Sequence, residues 1–202
     1  MTSMFHDGMR ALQDAFDGRR VADALEAHRR HREFWPEEIA LITSASFFFL
    51  ATAHGDAVDC SFKGGNPGFV QVVAPAAVEW PDYDGNSMYR SLGNILRSPR
   101  CGLLFLRMDG SSNRLRMTGD ARILRDAGAL ARHHGAKCVV RFEAEYVFPN
   151  CPRYLPEMAL QRPSPHPPAP GHAPPAPAWK SRDCIRDALP QDDPHRASLP
   201  PA

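Results

Sequence analysis

Lysine, arginine and asparagine stand beside glycine in two stretches of this chain, SFKGGNPGF (residues 61–69) and PDYDGNSMYRSLGN (residues 81–94). In the first, Gly64, Gly65 and Gly68 let a backbone come close to a ligand, and Lys63 adds a positive charge at the end of a strand. In the second, Gly85, Asn86 and Ser87 open a helix, so that free N–H groups and the helix dipole face whatever sits there, with Arg90 one turn on. A phosphate suits both. Each stretch also has a plain structural reading, GGNPG as a turn and Asn86 or Ser87 as a helix cap. Arg114 and Arg116, two apart on a strand, share one face, with Leu115 and Met117 on the other. That face is either a solvated exterior or one that aims an arginine at a cleft.

Other chemistries find less support. The cysteines Cys60, Cys101, Cys138, Cys151 and Cys184 are scattered without a C-x-x-C pair, and are read as reduced thiols. His133 and His134 precede Cys138, but adjacent helical residues diverge by about 100°, so no metal site is expected. No G-x-S-x-G elbow and no nucleophile with an ordered base is found.

The elements that must position these residues follow from periodicity. Phe5, Met9, Leu12 and Phe16 fall on one stripe of an amphipathic helix. A charged helix is predicted from about Arg20 to Arg32, and another from Pro36, whose ring favours the first helical position ahead of Glu37 and Glu38. At Phe47 the period changes. FFFLAT and AVDCSF, joined at His54-Gly55-Asp56, read as paired strands. Further strands are predicted at Phe69–Val73, Ala77–Trp80, Gly102–Arg107, Arg114–Leu124 and Val139–Val147, and a helix at Ser87–Leu96. Short strands at this spacing favour a barrel.

Residues 161–178 hold eight prolines in eighteen positions and read as an extended linker. At about 3.1 Å per residue it reaches on the order of 50 Å. Beyond it, Trp179, Ile185 and Leu189 share one side of a short helix able to dock. The chain thus divides into a helical segment (1–46), a barrel domain (47–160), a linker (161–178) and an end segment (179–202).

With 24 Lys and Arg against 23 Asp and Glu in 202 residues, there is no global field to attract nucleic acid or an anionic membrane. No apolar run approaches the roughly 20 residues that span a bilayer, and MTSMFHDGMR lacks a signal peptide's apolar centre. A cytoplasmic location is expected.

FFFLATAHGDAVDCSFKGG, WPDYDGNSMYRSLGNI, LLFL and RLRMTGDARIL, in this order over Phe47–Val147, resemble the pyridoxamine 5′-phosphate oxidase-related FMN-binding proteins. FHDGMRALQDAFDGRRVADAL and VFPNCPRYLP are similar to their uncharacterised flavin-nucleotide-binding subgroup. The resemblance implies a mainly β chain with flanking helices, namely a six-stranded FMN-binding split β-barrel with N-terminal helices and a Pro-rich C-terminal extension. It implies a homodimer with FMN in clefts at the interface. Cys60, Ser61 and Phe62 would run along the isoalloxazine through their backbone, with Lys63 near the phosphate. Asp82 and Tyr83 match a flavin-contacting strand end, Asn86, Ser87 and Arg90 the phosphate side, and Arg116 the flavin edge across the dimer. The oxidase's own C-terminal arrangement for its pyridoxal phosphate substrate is not found. The expected activity is oxidation or reduction of a small molecule, with NAD(P)H or oxygen as redox partner. The alternatives are a flavin carrier or sensor without turnover, and a split barrel that binds haem or a deazaflavin.

Overall fold

The computed structural model describes residues 3–111, 113–149, 151 and 153–196. The first two residues of the 1–46 segment, Asn150 and Pro152 of the VFPNCPRYLP stretch, and residues 197–202 of the end segment lie outside them. The chain is mainly β with flanking helices, as the sequence leads one to expect. Strands β1 (Phe47–His54), β2 (Ala57–Gly64), β3 (Gln71–Ala74), β4 (Ala77–Asp82), β5 (Arg100–Leu106), β6 (Arg114–Leu124) and β7 (Cys138–Pro149) form one antiparallel sheet. Its order is β2-β1-β5-β6-β7-β4-β3. The count is seven rather than six, and the sheet is not closed by hydrogen bonds.

It nevertheless rolls onto a single core. β1 and β4 are well separated in the strand order, yet the rings of Phe48 and Trp80 lie 5.0 Å apart, edge to face. Phe48 also stacks on Phe105 of β5 and Phe69 of the β2–β3 loop. Phe48, Trp80, Phe105, Met117 and Phe142 are sealed from water. A fully buried side chain of this size stabilises by about 1.5–3 kcal/mol, and such residues from both halves of the sheet hold the roll shut without ladder bonds. The roll is tightened where the β6–β7 register shifts at Thr118/Gly119, a bulge of the kind that bends a sheet. A Cβ on Gly119 would sit 2.1 Å from the Glu143 carbonyl oxygen, so the approach of the two strands requires glycine.

Helices α1 (Asp7–Ala15), α2 (Arg19–Arg29) and α3 (Pro36–Ser44) precede the sheet. α2 stops at Arg29, short of the predicted Arg32, because Arg30 turns extended and His31 pairs with Val147 of β7. The apolar stripe of α1 is real but not buried: Met9, Leu12 and Phe16 are exposed. α3 starts at Pro36 as expected, its entry fixed by Glu38, whose carboxylate accepts the Trp35 N–H at 2.9 Å. Helix α4 (Arg90–Arg97) crosses from β4 to β5, the short α5 (Ala127–Ala131) lies between β6 and β7, and α6 (Asp183–Arg186) follows a 3-10 turn at Ala178–Ser181. No helix among the described residues is long and apolar enough to cross a membrane.

Candidate functional site

The end of β2, one edge strand of the rolled sheet, comes up to the end of β4, where β4 runs on past its pairing with β3 at Ala77–Glu79. There the Lys63 ammonium is 3.9 Å from the Asp82 carboxylate. Beside this pair opens a cleft of about 840 Å³, lined by both glycine-containing stretches and by part of the Pro-rich segment. Ser61, Phe62 and Lys63 from β2, Asp82 and Tyr83 from the end of β4, and Asn86, Ser87 and Arg90 from the loop into α4 all line it. Cys60 and Arg116 do not. Cys60 is exposed on β2 away from the cleft, and Arg116 is exposed on β6.

β2 is an edge strand, bonded to β1 alone, with Phe49 opposite Phe62 and Leu50 opposite Ser61. Past Val58, whose carbonyl accepts from Arg90, the outer row of its backbone N–H and C=O groups is therefore available to a planar heterocycle. Gly64 and Gly65 line the cleft and have a second, steric role. A Cβ at Gly65 would fall 2.4 Å from the Phe69 ring and one at Gly64 2.7 Å from the Phe62 ring, so both make room for neighbouring aromatic rings. Gly68 is required by its positive φ of 88°.

The helix also starts later than its sequence suggests. The Asn86 side chain accepts the Met88 N–H at 3.0 Å, and Ser87 and Tyr89 adopt left-handed conformations, φ 58° and 49°. This local turn competes with helix formation. The helix therefore opens at Arg90, and its N-terminal backbone N–H groups, which have no intrahelical acceptor, lie at the cleft rather than beyond it.

Two residues not singled out from the sequence organise the arginine. The Ser91 hydroxyl donates to Asp59 at 2.6 Å and lies 2.8 Å from the Ser61 hydroxyl. Asp59 holds the Arg90 guanidinium at 3.4 Å, while Arg90 Nη2 donates to the Val58 carbonyl. Asp59 was legible in principle, since it alternates with Ser61 and Lys63 along β2. Below them, Asn94 donates to the Thr52 hydroxyl and the Ala57 carbonyl, tying α4 to the β1–β2 hairpin.

Electrostatically the cleft is mixed. Burial pushes the Asp82 carboxyl above its ordinary range, against the opposing pull of Lys63 and Lys137, and burial likewise raises the Tyr83 phenol. Asp84, on the same loop, pairs with Lys137 at 3.1 Å and with Lys180 of the end segment at 2.5 Å. Lys180 is fully buried and also meets Asp193 at 2.7 Å. The thiols are of two kinds. Cys101 and Cys138 are buried, their pKa values pushed up to about 12 and about 11 by desolvation, whereas Cys60, Cys151 and Cys184 are exposed. No group of three or more His, Cys, Asp or Glu residues able to hold a metal occurs among the described residues.

No protein-family model and no curated protein matches the chain. Among solved structures it is similar to HupZ from group A Streptococcus, at 14% identity over 57% of this chain and 93% of that one, TM-score 0.45. It is also similar to an FMN-binding protein from Syntrophomonas wolfei, at 11% identity over 71% and 97% of the two chains, TM-score 0.43. A third is a NimC/NimA family protein from Clostridium acetobutylicum, at 12% identity over 56% and 91%, TM-score 0.38.

Proposed function

We propose that the cleft binds FMN and that the protein is an FMN-dependent oxidoreductase acting on a small molecule. One observation carries the reading: eight residues chosen from two separate stretches of sequence line a single cleft where β2 comes up to β4. The donor set fits the group. Lys63 and Arg90 supply cations, the start of α4 supplies backbone N–H groups, and Ser61 and Ser91 supply hydroxyls for a phosphate and ribityl chain. Phe47, Phe62 and Tyr83 supply flat apolar surface, and the volume lies within the roughly 300–1,000 Å³ of small-molecule sites.

Bound FMN supplies the hydride acceptor at its N5 atom, and no nucleophile is needed from the chain. The chain's own groups bind and orient. Asp59 and Ser91 fix the Arg90 guanidinium, and the edge backbone of β2 at Ser61 and Phe62 would hold the ring. NADH, NADPH or oxygen serves as redox partner. Phe62, Met88 and Tyr89 are exposed beside the cleft, an apolar surface that suits a second copy of the chain, and the proposal includes a homodimer.

The test is an absorbance spectrum with and without added FMN, followed by titration through quenching of flavin fluorescence. Flavin bands at about one FMN per subunit support the reading, and a protein that ignores FMN overturns it. A second reading rests on His166, which the Pro-rich segment brings to the cleft wall. Imidazole is a protein ligand of haem iron, so haem is titrated in parallel. A Soret shift that His166→Ala abolishes would favour haem.

A further inference from the structure

We propose that residues 160–167 are a strap closing the cleft and that Lys180 is its latch, so that cofactor exchange waits on release of the C-terminal segment. The proposal rests on the flavin reading for its ligand but not for its geometry. Leu160 and residues 162–167 form one wall of the cleft.

The strap is pinned at both ends. At its start, backbone bonds join Gly110 N–H to the Met158 carbonyl and Leu160 N–H to the Met108 carbonyl, in the turn between β5 and β6. Farther on, Pro168 packs on Gly135, where a Cβ would fall 2.5 Å from its ring, and His172 Nε2 lies 2.8 Å from the Pro165 carbonyl oxygen. Beyond the prolines comes Lys180.

A lysine removed from water is costly unless carboxylates surround it. Lys180 has two, and they belong to different parts of the molecule. Asp193 lies in the end segment, whereas Asp84 is itself part of the cleft wall. Lys137 meets the other oxygen of Asp84, so the four charges form an alternating chain from the barrel to the tail. The proline-rich stretch between the pins is stiff and loses little entropy on being held, and the buried latch beyond it reinforces the weak pins at Leu160 and Pro168.

Lys180 is on this account a positioning residue, which acts on the ligand only through the strap. The test uses the full chain carrying Lys180→Met and, as a milder variant, Asp193→Asn. Without ligand, hydrogen exchange at the amides of residues 82–91 is expected to accelerate about tenfold in Lys180→Met, as local opening becomes easier. With FMN, stopped-flow fluorescence is expected to show release about tenfold faster, with entry accelerated as well. Faster entry separates a lifted strap from a damaged site, which would raise release alone. Asp193→Asn is expected to shift both rates in the same direction by less, and it decides the matter should Lys180→Met fail to fold. Exchange and FMN rates equal to wild type in the folded variants would overturn the proposal. A wild-type protein that binds no FMN overturns the flavin reading instead, and the ligand-free exchange then decides on the strap alone.

Discussion

Arg90 is the residue on which the phosphate assignment turns. It stands at the first position of α4, its guanidinium exposed and oriented by Asp59 and the Val58 carbonyl rather than consumed by them. Arg90→Ala is expected to weaken FMN binding by about 1.5–3 kcal/mol, the range for a hydrogen bond to a charged group, read by fluorescence titration. Unchanged affinity would move the phosphate elsewhere in the cleft. Asp82 gives a second test at this scale, one that needs no ligand. Burial raises its folded pKa above the unfolded value, so its contribution to stability is present at low pH and is lost as pH rises through the folded pKa. Carboxyl-carbon NMR is expected to place its midpoint above the ordinary value of about 3.9. Lys63→Met, which removes an opposing charge, should raise it further. A midpoint that falls in that variant would mean the two groups do not face each other in solution.

At the scale of elements, strand and helix existence was largely legible and the exact starts were not. The apolar runs around Phe48, Trp80, Leu103, Met117 and Phe142 announce themselves by period. The delay of α4 to Arg90 depends on the Asn86 side chain turning back onto Met88, a competition that periodicity does not register. Nor does sequence show that a glycine at the cleft also makes room for a ring, as Gly64 and Gly65 do. Two further glycines make the distinction measurable. Gly119→Ala forces a methyl against the β7 backbone at the bulge, and is expected to cost about 1–3 kcal/mol or more in urea denaturation, as overpacking does. Gly93, inside α4, has nothing within 4 Å of an added Cβ. Gly93→Ala is therefore expected to stabilise by about 0.5–1 kcal/mol, through the greater freedom glycine loses in a helix. A destabilised Gly93→Ala would place an unseen neighbour, such as a second subunit, against that face of α4.

At the scale of the whole molecule, the long-range charges were the least legible part. Glu79 in an apolar strand and Lys180 after a run of prolines give no local sign that each will be buried. Their partners, Arg132 and Arg141 for the one and Asp84 and Asp193 for the other, come from other elements. Only the completed roll brings them together. Among the described residues, the hydrophobic core itself contains none beyond Val147. Among its described residues the end segment adds one buried leucine, Leu189, and the Lys180 ion pairs, while Asp84 keeps Lys137 when the tail is gone. A chain ending at Leu160 is therefore expected to remain folded. Loss of the Leu189 burial is worth about 1.5–3 kcal/mol, which corresponds to a fall in Tm of about 5–10 °C with the transition still cooperative. Calorimetry of the 1–160 chain measures this directly. A truncated chain that is insoluble, or that melts without a cooperative transition, would show that the C-terminal segment is part of the barrel's structure rather than a cover laid across its cleft.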